Sequence, residues 1–247
     1  MKVSVTVITR NEAAGLRSML ESVRWADEIV VVDSFSTDGT VRIAEESGCR
    51  VFQHEFSDFA TQKNFAHTQA THDWILNLDA DELCPPALAN EIGALSDSGA
   101  SGYSIARVNY FQNKWIRHCG WYPDFKLRLY DRRKGAWKGK VHESVRVEGA
   151  AGRLKNPLQH YTYKGFERYL SSVLMYSRLA AEQMKEEGKS AGALDLLFRP
   201  PVGFLKKYFL QAGFLDGRPG FVISALTAYG IFCRYSFLWE MQSGGRR

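Results

Sequence analysis

Asp79 and Asp81 flank Ala80 directly after the apolar run Trp74-Ile75-Leu76-Asn77-Leu78. Side chains alternate along a strand, so carboxylates two residues apart at its end can point the same way. Such a pair suits a hard divalent cation with oxygen ligands, Mg²⁺ or Mn²⁺, which keeps water and shares phosphate oxygens. The tripeptide alone is common, and a solvated loop of helix-capping acids has the same pattern. Its position after a buried strand favours the cation. Asp33 ends a second apolar run, and the polar turn Ser34-Phe35-Ser36-Thr37-Asp38-Gly39 follows. Thr37 and Asp38 read as helix caps, whereas Asp33 is a strand-tip carboxylate able to bind a ribose hydroxyl or a base N–H. Lys63 lies on a helical stretch before the Asp79 strand, and a lysine near a metal-bound diphosphate would stabilise its charge. Neither G-x-G-x-x-G nor a Walker A sequence occurs, so any diphosphate must be held by metal and side chains.

Alternating strands and helices must position these groups. The β-branched run Val3-Ser4-Val5-Thr6-Val7-Ile8-Thr9 suits a buried strand. Leu16, Met19, Leu20 and Val23 recur at helical spacing. Further strands are expected over 28–33, 50–54 and 74–79, with helices between them, one of them over 58–71, and another from Pro85-Pro86 through Leu95. Repeated βα units of this length imply an α/β fold with a mostly parallel sheet and helices on both faces. Ligands of such sheets bind beyond the carboxyl ends of the strands. The polar tips Thr9-Arg10-Asn11-Glu12, Asp33-Ser34 and Asp79-Ala80-Asp81-Glu82 should therefore converge on one crevice. After residue 100 the pattern changes to short strands over 103–111, 126–130 and 144–147, separated by basic and aromatic loops. From residue 165 the chain reads as helical, with a break at 188–193, a helix opened by Pro200-Pro201, and a break at 217–220 before an apolar helix over 221–239. Arg234 and several polar residues in that last helix favour a buried or interfacial element over a membrane span.

Of the 247 residues, 45% are hydrophobic and 24% charged, which excludes disordered, collagen-like and disulfide-stapled classes. Residues 1–100 hold 7 Lys/Arg against 16 Asp/Glu, and residues 101–247 hold 25 against 11. An acidic front half joined to a basic back half suggests two jobs. Cys49, Cys84, Cys119 and Cys233 form no C-x-x-C pair, so idle thiols are expected rather than a zinc or redox site. The first residues lack a signal peptide's long apolar run and cleavage site, so a cytoplasmic location is expected. The basic run Arg128, Arg132, Arg133, Lys134, Lys138 and Lys140 is interleaved with Tyr130 and Trp137. Nucleic acid, or a sugar-phosphate stacked on the aromatic faces, would suit such a surface.

Taken together, the segments Val7-Ile8-Thr9-Arg10-Asn11-Glu12, Val32-Asp33-Ser34-Phe35-Ser36-Thr37-Asp38-Gly39-Thr40, Gln62-Lys63-Asn64 and Leu78-Asp79-Ala80-Asp81-Glu82 resemble family 2 glycosyltransferases of the GT-A fold. Tyr122-Pro123-Asp124-Phe125-Lys126-Leu127-Arg128-Leu129-Tyr130, Gly139-Lys140-Val141-His142-Glu143 and Gly213-Phe214-Leu215-Asp216-Gly217-Arg218-Pro219-Gly220-Phe221 resemble a narrower branch, the bacterial lipopolysaccharide inner-core beta-1,4-glucosyltransferases. The resemblance implies inverting transfer of a sugar, glucose in that branch, from a nucleotide diphosphate donor, UDP. It implies that Thr9, Asn11, Glu12 and Asp33 line the nucleoside pocket. Asp79 and Asp81 would hold the Mg²⁺ or Mn²⁺ with the donor's ribose and diphosphate, with Lys63 beside it. Many members carry two adjacent acids after the second strand, and here the second is Ser34. Residues 1–100 would form the nucleotide-sugar half of the domain, 101–164 the acceptor half, and 165–247 a helical extension able to touch membrane.

Inversion needs one step, in which an acceptor hydroxyl attacks the anomeric carbon while a carboxylate takes its proton. That base should lie on a later segment, and Glu143 is the first choice, with Asp124 the second. His142 is placed in the metal shell or beside Glu143, and His160 ranks below it. Given the upstream motifs, the basic aromatic run fits an anionic glycolipid acceptor better than nucleic acid, which the crevice carboxylates would repel. Phe198, Phe204, Leu205 and Phe209 alternate with Arg199, Lys206 and Lys207, a pattern suited to peripheral contact with the inner face of the cell membrane. The alternative is a transferase of the same fold acting on another glycolipid, a polysaccharide or a protein; a sugar-nucleotidylyltransferase is disfavoured by the missing Gly-rich loop, and an inactive sugar-nucleotide-binding protein by the intact Asp79/Asp81 pair.

Overall fold

Val3–Thr9 forms strand β1, and every residue in it except Ile8 is buried, as a central strand covered on both faces requires. Helix α1 (Ala13–Ser22) leads to β2 (Glu28–Asp33), α2 (Thr40–Glu46) to β3 (Arg50–Gln53), and α3 (Phe59–Gln69) to β4 (Trp74–Asp79). β1 pairs in parallel with β2 and β4, and β2 with β3. Alternation along the strands divides the core. Val5, Val7 and Val31 pack with Leu16, Met19 and Leu20 of α1, while Val30 and Val32 pack with Ala66 of α3 on the other face. α3 starts where Asp58 accepts the Thr61 N–H at 2.9 Å, an N-cap that fixes the helix in front of β4. The register pairs Thr9 with Asp33 and Ile8 with Asp79, so the polar tips share one edge of the sheet.

The chain continues through β5 (Glu82–Leu83), α4 (Pro86–Gly93), β6 (Gly102–Phe111), β7 (Lys114–Trp115), β8 (Asp124–Asp131), β9 (Gly135–Lys138), β10 (Ser144–Val147), β11 (Ala151–Arg153) and β12 (Leu158–Tyr163). The sheet order is β3-β2-β1-β4-β8-β6-β12-β5, with β7 and β11 against β6 and a separate β9–β10 hairpin. The parallel pairing expected of the sheet holds for β1 with β2 and β4, β2 with β3, and β6 with β11. β8 runs antiparallel to both β4 and β6, and the β6–β8 connection holds no crossover helix. The computed structural model describes residues 1–96, 99–139, 143–163 and 166–243. His142 and Lys140 lie outside these described residues.

Two units emerge: Met1–Val108 with Asp124–His160, and Asn109–Pro123 with Tyr161–Arg247. Residues 109–123 thus group with the C-terminal helices rather than with an acceptor half over 101–164. The reason lies in the second unit's own core. Phe111, Ile116 and Cys119 pack with Tyr169, Ile223 and Leu226, and the buried Asp216 accepts the backbone N–H groups of Arg117 (3.2 Å) and His118 (2.9 Å). This unit contains α5 (Phe166–Glu186), α6 (Ala193–Leu205) and α7 (Arg218–Ser243).

α6 begins seven residues before the prolines expected to open it. Its start is set where the Gly192 N–H donates to Asp195 Oδ2 at 3.0 Å and Leu196 N–H to the Gly192 carbonyl at 3.3 Å. Pro200 and Pro201 lie inside it, each without an N–H, and the chain widens into a π-helical turn over Lys206–Leu210. α7 likewise absorbs Pro219 and Gly220 into its first turn. Gly220 is required there because a Cβ would stand 1.8 Å from the Gly213 carbonyl oxygen.

By length and composition α7 could cross a membrane. It packs instead along α5, where Ser177 Oγ donates to the Gly230 carbonyl at 2.9 Å and Ala181 shares a buried cluster with Leu238. α5 carries Glu167, Arg168, Arg178, Glu182, Lys185 and Glu186, which a span would drag towards hydrocarbon. The four thiols are free, and burial pushes Cys49 up to about 11 and Cys84 up to about 12, so these two stay protonated near neutrality.

Candidate active site

The loops after β1 and β2 are stitched together. Asn11 Oδ1 accepts the Thr37 N–H at 2.8 Å, and the Asn11 N–H donates to Ser36 Oγ at 2.8 Å. The Glu12 N–H donates to Thr40 Oγ1 at 2.9 Å, and the Ala13 N–H to Asp38 Oδ2 at 3.2 Å. Asp33 is fully buried and is the fastener rather than an open strand tip. Its oxygens accept from Thr9 Oγ1 (3.0 Å), Ser36 Oγ (2.5 Å) and the Ser36 N–H (2.7 Å). Ser36, a candidate helix cap on sequence, links the two loops by accepting from the Asn11 N–H while donating to Asp33.

The three residues Gln62-Lys63-Asn64 serve three neighbours from one turn of α3. Buried Gln62 donates to Ser34 Oγ at 2.9 Å and contacts His54 Nδ1 at 2.8 Å. Asn64 exchanges two 3.0 Å hydrogen bonds with the Trp137 backbone, tying α3 to β9. Lys63 points between them, 2% exposed. Its Nζ lies 3.0 Å from Asp79 Oδ1, 3.1 Å from Glu143 Oε1 and 4.4 Å from the centre of the Trp137 ring. A lysine from the first half of the chain thus joins the strand-tip aspartate to the glutamate 64 residues later in the chain.

Asp79 is held from its other side by Arg128, which is 4% exposed on β8. Arg128 Nη2 donates to Asp79 Oδ2 at 2.5 Å and to Glu82 Oε1 at 2.6 Å. Glu82, wholly buried, also accepts from Arg107 Nη1 at 3.2 Å and from the Asp79 N–H at 3.0 Å. Burial alone would push these carboxyls up. Arg128, with Lys63 for Asp79, outweighs it, so Asp79 sits well below the usual carboxylate range and Glu82 below its own. The basic run expected to form an acceptor surface is therefore divided. Arg128 and Tyr130 are buried, Arg132 caps the Ala70 and His67 carbonyls, and Arg133 pairs with Asp131 and Asp73.

Asp79 and Asp81 have different neighbours. β4 ends at Asp79 and the chain turns at Ala80-Asp81, so strand alternation stops one residue too soon. Both Asp79 oxygens face cations, whereas Asp81 Oδ1 lies 3.4 Å from His160 Nε2. Among the described residues no group of three or more His, Cys, Asp or Glu side chains surrounds one metal position. A carboxylate facing an imidazole nitrogen, with the rest of the shell left to phosphate oxygens and water, still fits Mn²⁺ or Mg²⁺. His160, which ranks below His142 on sequence, is the imidazole that stands beside Asp81, while His142 lies outside the described residues.

Asp124, the second candidate base, is bound by Arg107 through Nε at 2.9 Å and through Nη2, and by Lys126 at 3.3 Å. Burial raises its carboxyl, but Arg107 and Lys126 outweigh this and hold it below its ordinary value. Asp79, Glu82 and Asp124 thus share one pH signature. Their contribution to stability is complete above the ordinary carboxylate value of about 4 and is lost as pH falls through the lower folded values. Melting temperature should fall steeply on acidification below about pH 4. Arg128→Met strands two buried carboxylates at a cost of about 3–5 kcal/mol near neutrality. Its deficit against wild type should shrink as pH falls and those carboxyls protonate, which paired pH-melting curves will read directly.

Comparison with known proteins follows the same lines. The family model described as Glycosyl transferase family 2 matches residues 4–162. The chain is 33% identical to the lipopolysaccharide core biosynthesis glycosyltransferase LpsC of Rhizobium meliloti (strain 1021), over 96% of this chain and 94% of that one. It is 31% identical to an uncharacterized glycosyltransferase of Rickettsia felis, over 97% and 90%. Among solved structures, mannosyltransferase PcManGT of Pyrobaculum calidifontis, in complex with GDP-Man and Mn²⁺, aligns with a TM-score of 0.56 at 17% identity, over 97% of this chain and 87% of that one. S. aureus TarS 1-349 in complex with UDP aligns at 0.51 and 15%, over 100% and 92%. These likenesses show the GT-A fold.

Proposed function

The chain belongs to glycosyl transferase family 2, and from that premise we propose that it moves glucose from UDP-glucose to a lipopolysaccharide core acceptor, with inversion at the anomeric carbon. The observation that carries the reading is the junction at Lys63, where Asp79 and Glu143 meet across one ammonium group. Donor-binding and proton-accepting groups are thereby set a few ångströms apart, as a single displacement requires.

Thr9, Asn11, Glu12 and Asp33 frame the nucleoside, Asp33 by fixing the Ser36 turn. Lys63 stabilises the diphosphate. Asp81 and His160 are the residues that would hold Mg²⁺ or Mn²⁺, which when bound neutralises charge on the leaving diphosphate. Glu143 accepts the proton of the acceptor hydroxyl as that oxygen bonds to the anomeric carbon. The bond from that carbon to the diphosphate oxygen breaks, and its electron pair leaves with UDP. Asp124, tied to Arg107 and Lys126, serves structure. The kinship with LpsC and the basic balance of residues 101–247 support a phosphate-bearing glycolipid acceptor at the inner face of the cell membrane.

Labelled UDP-glucose and a truncated lipopolysaccharide core glycolipid provide the test. Transfer with a β-configured product by NMR is expected. Transfer confined to a polyprenyl phosphate or a peptide, or an α-configured product, contradicts the reading.

A further inference from the structure

α6 presents a face that the fold leaves bare. Leu194, Leu197, Phe198, Val202 and Leu205 are 70, 65, 56, 60 and 51% exposed, and Leu210 in the π-helical turn that follows is 84% exposed. At about 100° per residue, the five α6 positions and Pro201 fall within a stripe about 140° wide. No polar residue lies inside that stripe. Gly203 falls opposite it, turned to α7, where a Cβ would sit 2.2 Å from Ile231 Cδ1. The inner side of α6 is therefore fitted to its own unit, and the outer side is apolar without a partner.

We propose that this face is an interfacial membrane anchor, lying in the plane of a bilayer with its apolar stripe among the acyl chains and its cations among anionic phospholipid headgroups. The inference deepens the proposed membrane setting and rests on it. The charge pattern selects the occupant. Lys206 lies about 40° beyond one edge of the stripe, where a long cationic side chain reaches headgroups while its stem covers apolar surface; Arg199, on the same edge, is paired with Asp195 and lies over the Tyr235 ring, so it adds no net charge there. Arg218 follows at the start of α7. Among the described residues neither Lys206 nor Arg218 has an acidic ion-pair partner. Asp216 is buried and bonded to the 117–118 backbone, so it does not cancel them. A second copy on this face would bring two strongly basic halves together, which like-charge repulsion opposes. Anionic lipid attracts the same charge. The packing of α7 along charged α5 favours association in the plane of the surface over a span.

Co-sedimentation of the full chain with vesicles tests this, without donor or acceptor, so that failure here leaves the sugar-transfer reading standing and the reverse. Binding to phosphatidylglycerol/phosphatidylethanolamine vesicles is expected, at least tenfold weaker on phosphatidylcholine vesicles. The double variant Leu197→Glu/Leu205→Glu should lose at least tenfold in binding while keeping its melting temperature and UDP affinity, because both side chains point away from the packed unit. Lys206→Glu should lose binding to the anionic vesicles selectively. Wild-type binding by the double variant overturns the proposal. So does a wild-type dimer in sedimentation velocity that the double variant dissociates, with no vesicle binding by either.

Discussion

Glu143→Gln is expected to lower kcat by about two to four orders of magnitude, the range lost with a positioned general base, while UDP-glucose affinity stays near wild type. The amide keeps the size of the side chain and can still accept a hydrogen bond from Lys63 Nζ, now 3.1 Å from Glu143 Oε1, but cannot take a proton. The loss should therefore appear in kcat rather than in KM. Asp124→Asn provides the contrast. It breaks the contacts with Arg107 and Lys126 and should lower the melting temperature more than the rate. If Asp124→Asn abolishes transfer with donor affinity intact, and Glu143→Gln does not, the base has been assigned to the wrong carboxylate.

Asp81→Asn should have an effect of comparable size through a different quantity. It removes the charged oxygen facing His160 Nε2 and leaves Asp79 between Lys63 and Arg128. UDP affinity in the presence of Mn²⁺ should fall to the level measured in EDTA, with transfer reduced about a thousandfold, the range in which removing one transition-state charge contact falls. His160→Ala should give a smaller loss in the same direction. Asp79→Asn should differ in kind, because it also unbalances Lys63 and Arg128, and its cost should include stability. Calorimetric titration of UDP with and without Mn²⁺ separates the three variants. Wild-type Mn²⁺ dependence in Asp81→Asn would show that the cation is held elsewhere.

Much of this architecture is legible in the chain because it depends on local periodicity. The continuous β-branched run of β1 and the helical spacing of Leu16, Met19 and Leu20 state their own burial, and the end of each βα strand announces a polar tip. What escapes depends on long-range register. The antiparallel pairing of Leu76 with Leu129 carries Arg128 to the Asp79 side, and nothing near Arg128 in sequence distinguishes it from the exposed Arg133. Glu82 looks like one more loop acid, yet it lies at the centre of the ion-pair network. Strand alternation does not govern the placement of Asp81 relative to Asp79, because the strand ends at Asp79. Pro200-Pro201 misplaces the start of α6, since proline's usual place in a first turn gave way to tertiary packing around Gly203 and Ile231. His160 ranks low on sequence because a lone histidine carries no signal until β12 brings it to Asp81.

The opposed charges of the two halves also take on physical form. From the acidic front half, Asp79 and Glu82 meet Lys63 and arginines of later strands, while the basic back half exposes Lys206 beside the bare face of α6. Release of UDP from UDP-, GDP- and dTDP-sugars, followed without acceptor in Mn²⁺ and in EDTA, tests the donor site most directly. Slow turnover of UDP-glucose that requires Mn²⁺ and disappears in Asp81→Asn is the predicted result. Turnover that persists in EDTA, survives in Asp81→Asn or prefers a GDP-sugar would contradict it.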